Sequence, residues 1–117
     1  MIEKLLSGKV ATITGANQGL GREIAKKYVN AGADVMLCAR NYSLLEETKQ
    51  ELDSMLGDNQ QVLINKCDVS KEDEVNDLVS VVFEELGGCH ILVNNAGIYG
   101  PIGAIEDQDW DEWKKAL

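Results

Sequence analysis

Short runs of apolar residues alternate along the chain with longer segments in which apolar residues recur every three or four positions. Four of these runs contain β-branched residues and are bounded by glycines or polar residues, which is typical of buried strands. They occupy residues 8–14, 34–39, 61–66 and 90–94. The segments between them have the spacing of amphipathic helices. The pattern therefore predicts the element order β-α-β-α-β-α-β-α, with a last helix beginning near Asp107.

The ends of the predicted helices are marked by capping residues and glycines. The first helix begins at Gly19. In the second, Ser43 and Glu46 fit a capping box, in which each side chain accepts from the other residue's free N–H, and Gly57 is expected to end the helix. Ser70 is expected to cap the third helix. The faces predicted to be buried are Leu20, Ile24, Ala25, Tyr28 and Val29 in the first helix, Leu44, Leu45, Thr48, Leu52, Met55 and Leu56 in the second, and Val75, Leu78, Val79, Val82, Phe83 and Leu86 in the third.

The predicted strands are continuously apolar, which is typical of a parallel sheet covered by helices on both faces. Strands that alternate with helices are joined by right-handed crossovers. We therefore predict an α/β fold with a doubly wound parallel sheet in three layers. Because 117 residues are enough for one compact domain and too few for two, residues 1–117 are expected to form a single domain.

Composition and charge exclude several classes of partner. Hydrophobic residues make up 44% of the chain, and its formal net charge is −9. An acidic surface repels phosphate backbones and anionic lipids, so we expect neither nucleic acid nor a membrane as a partner. Residues 1–9 lack the pattern of a secretory signal, and no apolar stretch has the length of a membrane span.

The cysteines and the single histidine predict no metal site. Cys38, Cys67 and Cys89 are widely spaced and contain no Cys-x-x-Cys pair, so we expect free thiols in a reducing cytoplasm. His90 opens an apolar run, and we interpret it as a strand-edge residue rather than a catalytic base.

The most informative segment is the glycine-rich stretch at residues 14–21, which follows the first predicted strand and opens the first predicted helix. Gly15, Gly19 and Gly21 allow a tight turn and a close approach of the backbone to a pyrophosphate, which then faces the positive end of the helix. The alternative is a glycine-rich turn that binds nothing. A P-loop is excluded, because no Lys-Ser or Lys-Thr pair follows the last glycine.

This stretch resembles the cofactor loop of the short-chain dehydrogenases/reductases. Three later segments resemble motifs of the same family, in the same order: Cys67-Asp68-Val69, Asn94-Asn95-Ala96-Gly97 and Asp109-Trp110-Asp111-Glu112. The resemblance covers essentially the whole chain. It implies a Rossmann-type sheet of which this chain supplies strands in the order 3-2-1-4, and an oxidoreductase that binds a nicotinamide dinucleotide.

The resemblance also implies a set of cofactor-binding residues. The glycines would carry the pyrophosphate, with Leu20 contributing a backbone contact. Asp68 would accept from the adenine amino group, with Val69 donating its N–H to the ring; the alternative for Asp68 is a residue at the entry of the third helix. The full set is Gly15, Asn17, Gln18, Gly19, Leu20, Gly21, Arg40, Asp68, Val69, Asn95, Ala96 and Gly97.

Arg40 decides the expected cofactor. It follows the second strand, where a carboxylate would accept from the ribose 2′-hydroxyl of NAD(H), but the strand-end residue here is Ala39. A guanidinium pairs with a 2′-phosphate and stacks on adenine. We therefore expect NADP(H) rather than NAD(H). The alternatives are that Arg40 is a solvated surface residue, and that Gln18, where some relatives carry a basic residue, weakens the preference.

The family's catalytic residues are absent from this sequence. Its reaction on an alcohol or ketone uses a tyrosine followed four residues later by a lysine, together with a serine. Tyr28, Tyr42 and Tyr99 are followed at that spacing by Gly32, Glu46 and Gly103. We therefore assign no catalytic residue and expect this chain alone to be inactive. The alternatives are a non-catalytic nucleotide-binding or docking module and a scaffold that binds nothing. The resemblance also allows a homo-oligomer.

Overall fold

The protein is described from a computed structural model, in which residues 4–95 are placed. They form four strands and three helices in the predicted alternating order. The elements are β1 (Val10–Thr14), α1 (Gly19–Asn30), β2 (Asp34–Ala39), α2 (Tyr42–Asp53), β3 (Val62–Lys66), α3 (Glu72–Leu86) and β4 (Ile91–Val93). The helix predicted near Asp107 lies outside the described residues. Between residues 4 and 95, no helix has both the length and the apolarity needed to cross a bilayer.

The strands form one parallel sheet in the order β3-β2-β1-β4. In the central strand, Thr12 is paired with Met36 of β2 on one side and with Leu92 of β4 on the other. The chain therefore starts in the middle of the sheet, moves outward to β3, and then crosses to the opposite side of β1. In such sheets a crevice opens at the carboxyl ends of the strands where the order reverses. This confirms the predicted Rossmann-type fold.

The two faces of the sheet are covered by different helices. Val35 and Leu37 of β2 pack in a buried cluster with residues of α1 and α2, including Val29. Met36 and Cys38, which alternate with them, pack in a second cluster that includes Leu78 and Val82 of α3. Because successive residues of a strand point to opposite faces, α1 and α2 form one layer, the sheet forms the second, and α3 forms the third.

Two of the predicted helix caps are wrong. At the start of α2, the side chain of Asn41 accepts from the backbone N–H of Leu44 at 3.1 Å, so Asn41 is the cap and Ser43 already lies inside the helix. At α3, Lys71 holds the cap position without a side-chain bond. The Ser70 hydroxyl donates instead to the carboxylate of Asp68 at 2.7 Å. Helix α2 also ends at Asp53, before the predicted stop at Gly57.

The predicted buried face of α3 is only partly buried. Val79 and Phe83 are 48% and 58% exposed, and Leu92 of the neighbouring strand β4 is 66% exposed. The reason is that the buried residues of α3 pack against β1 and β2. An apolar groove of about 410 Å³ therefore lies between α3 and β4. The periodicity predicts the width of an apolar face, but not how much of it neighbouring elements cover.

Candidate functional site

A cleft of about 620 Å³ opens at the carboxyl ends of β1, β2 and β3. Its walls are formed by residues 15 and 17–19 between β1 and α1, residues 38–41 at the end of β2, residues 67–70 after β3, and Asn95 shortly after β4. Most of the predicted binding residues lie here, namely Gly15, Asn17, Gln18, Gly19, Arg40, Asp68, Val69 and Asn95. The sheet thus brings together residues that are up to 80 positions apart in sequence.

Four of the predicted residues do not line this cleft or lie outside the described residues. Leu20 was predicted on the buried face of the first helix, and this is wrong, because it is 68% exposed in the first turn of α1. Its side chain does not contribute to the wall. Gly21 is buried beneath the loop. Ala96 and Gly97 lie outside the described residues. The prediction of a backbone contact from Leu20 is not tested by the position of its side chain.

The glycines between β1 and α1 have two different structural roles. Gly15 and Gly19 have φ values of 62° and 58°, which side chains rarely adopt. Gly21 has no such φ, but a Cβ there would lie 2.3 Å from the carbonyl oxygen of Gly15 and 2.7 Å from Nδ2 of Asn95. The first pair therefore allows the turn, and Gly21 allows the helix to pack directly under it.

The amino end of α1 opens at the cleft, and neither its cap nor its first turn supplies a negative charge. Gln18 occupies the cap position without a side-chain capping bond, and the first turn contains no acidic residue. The first N–H groups of a helix lack intrahelical partners, and the helix dipole makes this end positive. Since Gln18 and Gly19 line the cleft, this end is suited to an anionic group.

Hydrogen bonds from other elements hold the loop in shape. The side chain of Asn95 donates to the carbonyl of Gly15 at 3.2 Å, and its backbone N–H donates to the hydroxyl of Thr14 at 2.9 Å. On the other side, the fully buried hydroxyl of Thr48 in α2 lies between two carbonyl oxygens, 3.3 Å from that of Asn17 and 3.2 Å from that of Leu44 in its own helix. The sequence placed Thr48 on the inward face of α2 but did not predict this contact; a hydroxyl among leucines was the available signal.

Two residues of opposite charge, Arg40 and Asp68, lie in the wall of the cleft after the neighbouring strands β2 and β3. Arg40, directly after β2, is exposed and makes no hydrogen bond or ion pair with any residue that the structure describes. Asp68 follows β3. The pKa of its carboxyl is lowered first by hydrogen bonds from the Ser70 hydroxyl and N–H, and then by the charges of Arg40 and Lys71. Asp68 is therefore ionised near neutral pH and close to a cation that has no direct partner.

The loop after β3 is built around Asp68. Its Oδ1 accepts from the N–H of Ser70 at 3.0 Å and from the hydroxyl of Ser70 at 2.7 Å. Its carbonyl accepts from the N–H of Lys71 at 3.0 Å, and its own N–H donates to Oε1 of Glu74 at 3.1 Å. The structure therefore places Asp68 in a tight turn at the entry of α3, where the alternative interpretation of the sequence puts it.

The comparison with known proteins agrees with this geometry. The sequence model of the short chain dehydrogenases matches residues 9–116. The chain belongs to the short-chain dehydrogenase family. It is 35% identical over 113 residues to a 3β-hydroxysteroid dehydrogenase of Eggerthella lenta, and the match covers 97% of this chain and 42% of that protein.

Solved structures of short-chain dehydrogenases have the same fold. The L-sorbose reductase from Gluconobacter frateurii, complexed with NADPH and L-sorbose, superposes with a TM-score of 0.78 at 36% identity, covering 96% of this chain and 41% of that one. A metagenomic short-chain oxidoreductase in complex with NADP has a TM-score of 0.76 at 33% identity, covering 95% and 49%. This chain thus spans less than half the length of these relatives.

Cys38, Cys67 and the single histidine of this chain have structural roles. Cys38 and Cys67 line the cleft as free thiols; burial raises the pKa of Cys38 to about 12 and also raises the pKa of Cys67, so both stay neutral. The imidazole Nδ1 of His90 accepts a hydrogen bond from the backbone N–H of Val10 at 2.9 Å. The backbone N–H of His90 donates to the carbonyl of Val10, also at 2.9 Å. It therefore extends the pairing of β1 with β4. Within residues 4–95, no cluster of three possible metal ligands exists.

Proposed function

We propose that this chain is the cofactor-binding part of an NADP(H)-dependent oxidoreductase that acts on an alcohol/carbonyl pair. The observation that carries the proposal is the guanidinium of Arg40 at the carboxyl end of β2, in the wall of the cleft, where no residue between 4 and 95 pairs with it. A ribose 2′-hydroxyl would find no carboxylate at this strand end, whereas a 2′-phosphate would find a cation that forms paired hydrogen bonds. The NADP and NADPH complexes among the structural neighbours support this choice.

The cleft fits the other parts of the cofactor. The pyrophosphate would bind at residues 15–19, where the uncapped amino end of α1 and the open space around Gly19 leave room for it. The adenine would lie toward Asp68 and Val69, and the nicotinamide end would lie toward Asn95 and residues 96–97. When bound, the nicotinamide ring would donate a hydride to a carbonyl in its reduced form, or accept one from an alcohol in its oxidised form. This chain's residues would bind and orient it.

The proposal assigns no catalytic step to this chain. None of its tyrosines is followed four residues later by a lysine, so the chain alone is expected to bind cofactor without oxidising or reducing a substrate. The same absence favours a second candidate, a nucleotide-binding or docking module that performs no hydride transfer. An alcohol or ketone substrate is proposed only for a protein that also has the catalytic residues.

The proposal predicts a cofactor preference that depends on Arg40. In titrations of the folded chain followed by cofactor fluorescence, NADPH is expected to bind more tightly than NADH. Arg40→Ala is expected to weaken NADPH binding about tenfold, the loss of a charge-assisted pair, and to leave NADH binding nearly unchanged. Lys27→Ala is the matched control, because Lys27 lies in the last turn of α1, away from the cleft.

Either of two results would overturn the proposal. A folded chain that binds neither cofactor would show that the cleft is not a dinucleotide site. Equal weakening of NADPH and NADH by Arg40→Ala would show that Arg40 does not distinguish the 2′-phosphate, and the cofactor preference would have to be abandoned.

A further inference from the structure

The loop that forms the wall of the cleft after β3 is fastened to α3 by one side chain. Glu74 lies in the first turn of α3. Its Oε1 accepts the backbone N–H of Asp68 at 3.1 Å, and its Oε2 lies 3.6 Å from Nζ of Lys71. The two oxygens therefore connect the helix to both ends of the turn that Asp68 and Lys71 close.

This contact acts on a residue of the cleft rather than on the core. The bonded N–H belongs to Asp68, which lines the cleft together with Val69 and Ser70. The same residue directs its carboxylate toward Ser70 through two hydrogen bonds. Fixing the N–H of Asp68 thus fixes the peptide plane from which the carboxylate projects and the chain that leads to Val69.

We propose that Glu74 is a positioning residue for adenine recognition. The proposal rests on the cofactor site proposed above. Glu74 touches no cofactor atom in this account; it holds Asp68 and Val69 in the arrangement in which a carboxylate can accept from the 6-amino group of adenine. Loss of its acceptor oxygen leaves a partly buried N–H without a partner, and the loop gains conformations that must be lost again when cofactor binds.

The electrostatic effect of Glu74 opposes its positioning effect, so the two can be separated. A carboxylate near the cleft repels an anionic cofactor, and its removal alone would strengthen binding. Glu74→Gln removes the charge but keeps an oxygen that can accept from Asp68. Glu74→Ala removes the charge and the acceptor. The difference between these two variants therefore reports the hydrogen bond alone.

The test measures dissociation constants for NADPH and for its hypoxanthine analogue, which has a carbonyl in place of the 6-amino group. The wild-type chain and Glu74→Gln are expected to prefer NADPH. Glu74→Ala is expected to bind NADPH about fivefold more weakly than Glu74→Gln does, in line with one lost hydrogen bond, and to lose most of its preference for adenine. Glu72→Ala, in the same turn of α3, is the control and is expected to keep it.

A further variant separates the loss of the hydrogen bond from the loss of the negative charge in α3. Glu74→Asp keeps the negative charge in the first turn of α3 but withdraws the oxygen by one methylene, and it should lose adenine preference as Glu74→Ala does. If Glu74→Asp and Glu74→Ala bind both cofactors with the wild-type ratio, the positioning role is overturned while the cofactor site stands. If the wild-type chain binds neither cofactor, the site itself fails, and the role of Glu74 fails with it.

Discussion

Whether the glycine loop can form depends on the room around individual atoms, and Gly21 shows this most clearly. At Gly21 the absence of a Cβ lets α1 pack against the carbonyl of Gly15 and the side chain of Asn95. The sequence predicted that the glycines are needed, because their spacing matched a known loop. It could not predict Thr48 or Glu74 as loop contacts, because a buried hydroxyl or a first-turn carboxylate gives no sign of which distant backbone group it meets.

Gly21→Ala is expected to destabilise the chain and to distort the cleft. The new methyl group would lie 2.3 Å from a backbone oxygen, which no rotamer can relieve, so the helix or the loop must shift. We expect a loss of about 1–3 kcal/mol in the free energy of unfolding, as for overpacked sites, measured by urea denaturation. Gly57→Ala is the control, because its nearest neighbour would be 3.5 Å away. Equal stability of both variants would contradict the packing role of Gly21.

At the scale of elements, α1 and α2 are joined by an ion-pair network centred on Glu51. Its carboxylate accepts from Nζ of Lys26 at 2.6 Å and from the guanidinium of Arg22, whose Nε lies 2.9 Å away. These bonds lower the pKa of Glu51, with Lys26 the larger cause, and raise the pKa of Lys26, chiefly through Glu51. The network fixes the two helices that cover one face of the sheet.

The lowered pKa of Glu51 predicts a loss of stability in acid. A carboxyl whose pKa is lower in the folded state contributes stability above its unfolded pKa, about 4.3, and this contribution disappears as the pH falls through the folded value. Thermal unfolding at pH 7 and pH 3 should show a smaller acid-induced fall of Tm for Glu51→Gln than for the wild-type chain. In the control variant Glu47→Gln, at an exposed position of α2, the Tm should fall by as much as in the wild-type chain. An unchanged fall for Glu51→Gln would show that the network does not contribute.

The type and order of the elements were predictable, and their ends were less so. Apolar runs and helical spacing gave every strand and helix between residues 4 and 95. The predicted cap of α2 was wrong because Asn41 and Ser43 are both good capping residues. The path of the chain out of β2 decides between them. The prediction that Ser70 caps α3 was wrong for a related reason, because its hydroxyl donates to the carboxylate of Asp68 instead.

At the scale of the whole molecule, the strand order brings the three loops to one edge of the sheet. The resemblance to a family implied this order, and the structure confirms it. An exposed apolar groove lies beside β4, where Phe83 and Leu92 are exposed. Periodicity along one helix contains no information on which neighbour covers it. Residues 4–95 therefore include both a cleft at the strand ends, lined in part by charged residues, and an apolar groove on the face of α3.

The most direct test of the account is to locate cofactor binding among these surfaces. Backbone amide shifts of the isotope-labelled chain would be recorded by NMR during titration with NADPH. We predict that the largest changes fall on residues 15–19, 40–41 and 67–70, and that residues near Val79, Phe83 and Leu92 change little. Saturable changes centred on the apolar groove, or no change in a folded chain, would contradict the claim that the cleft at the strand ends is the cofactor site.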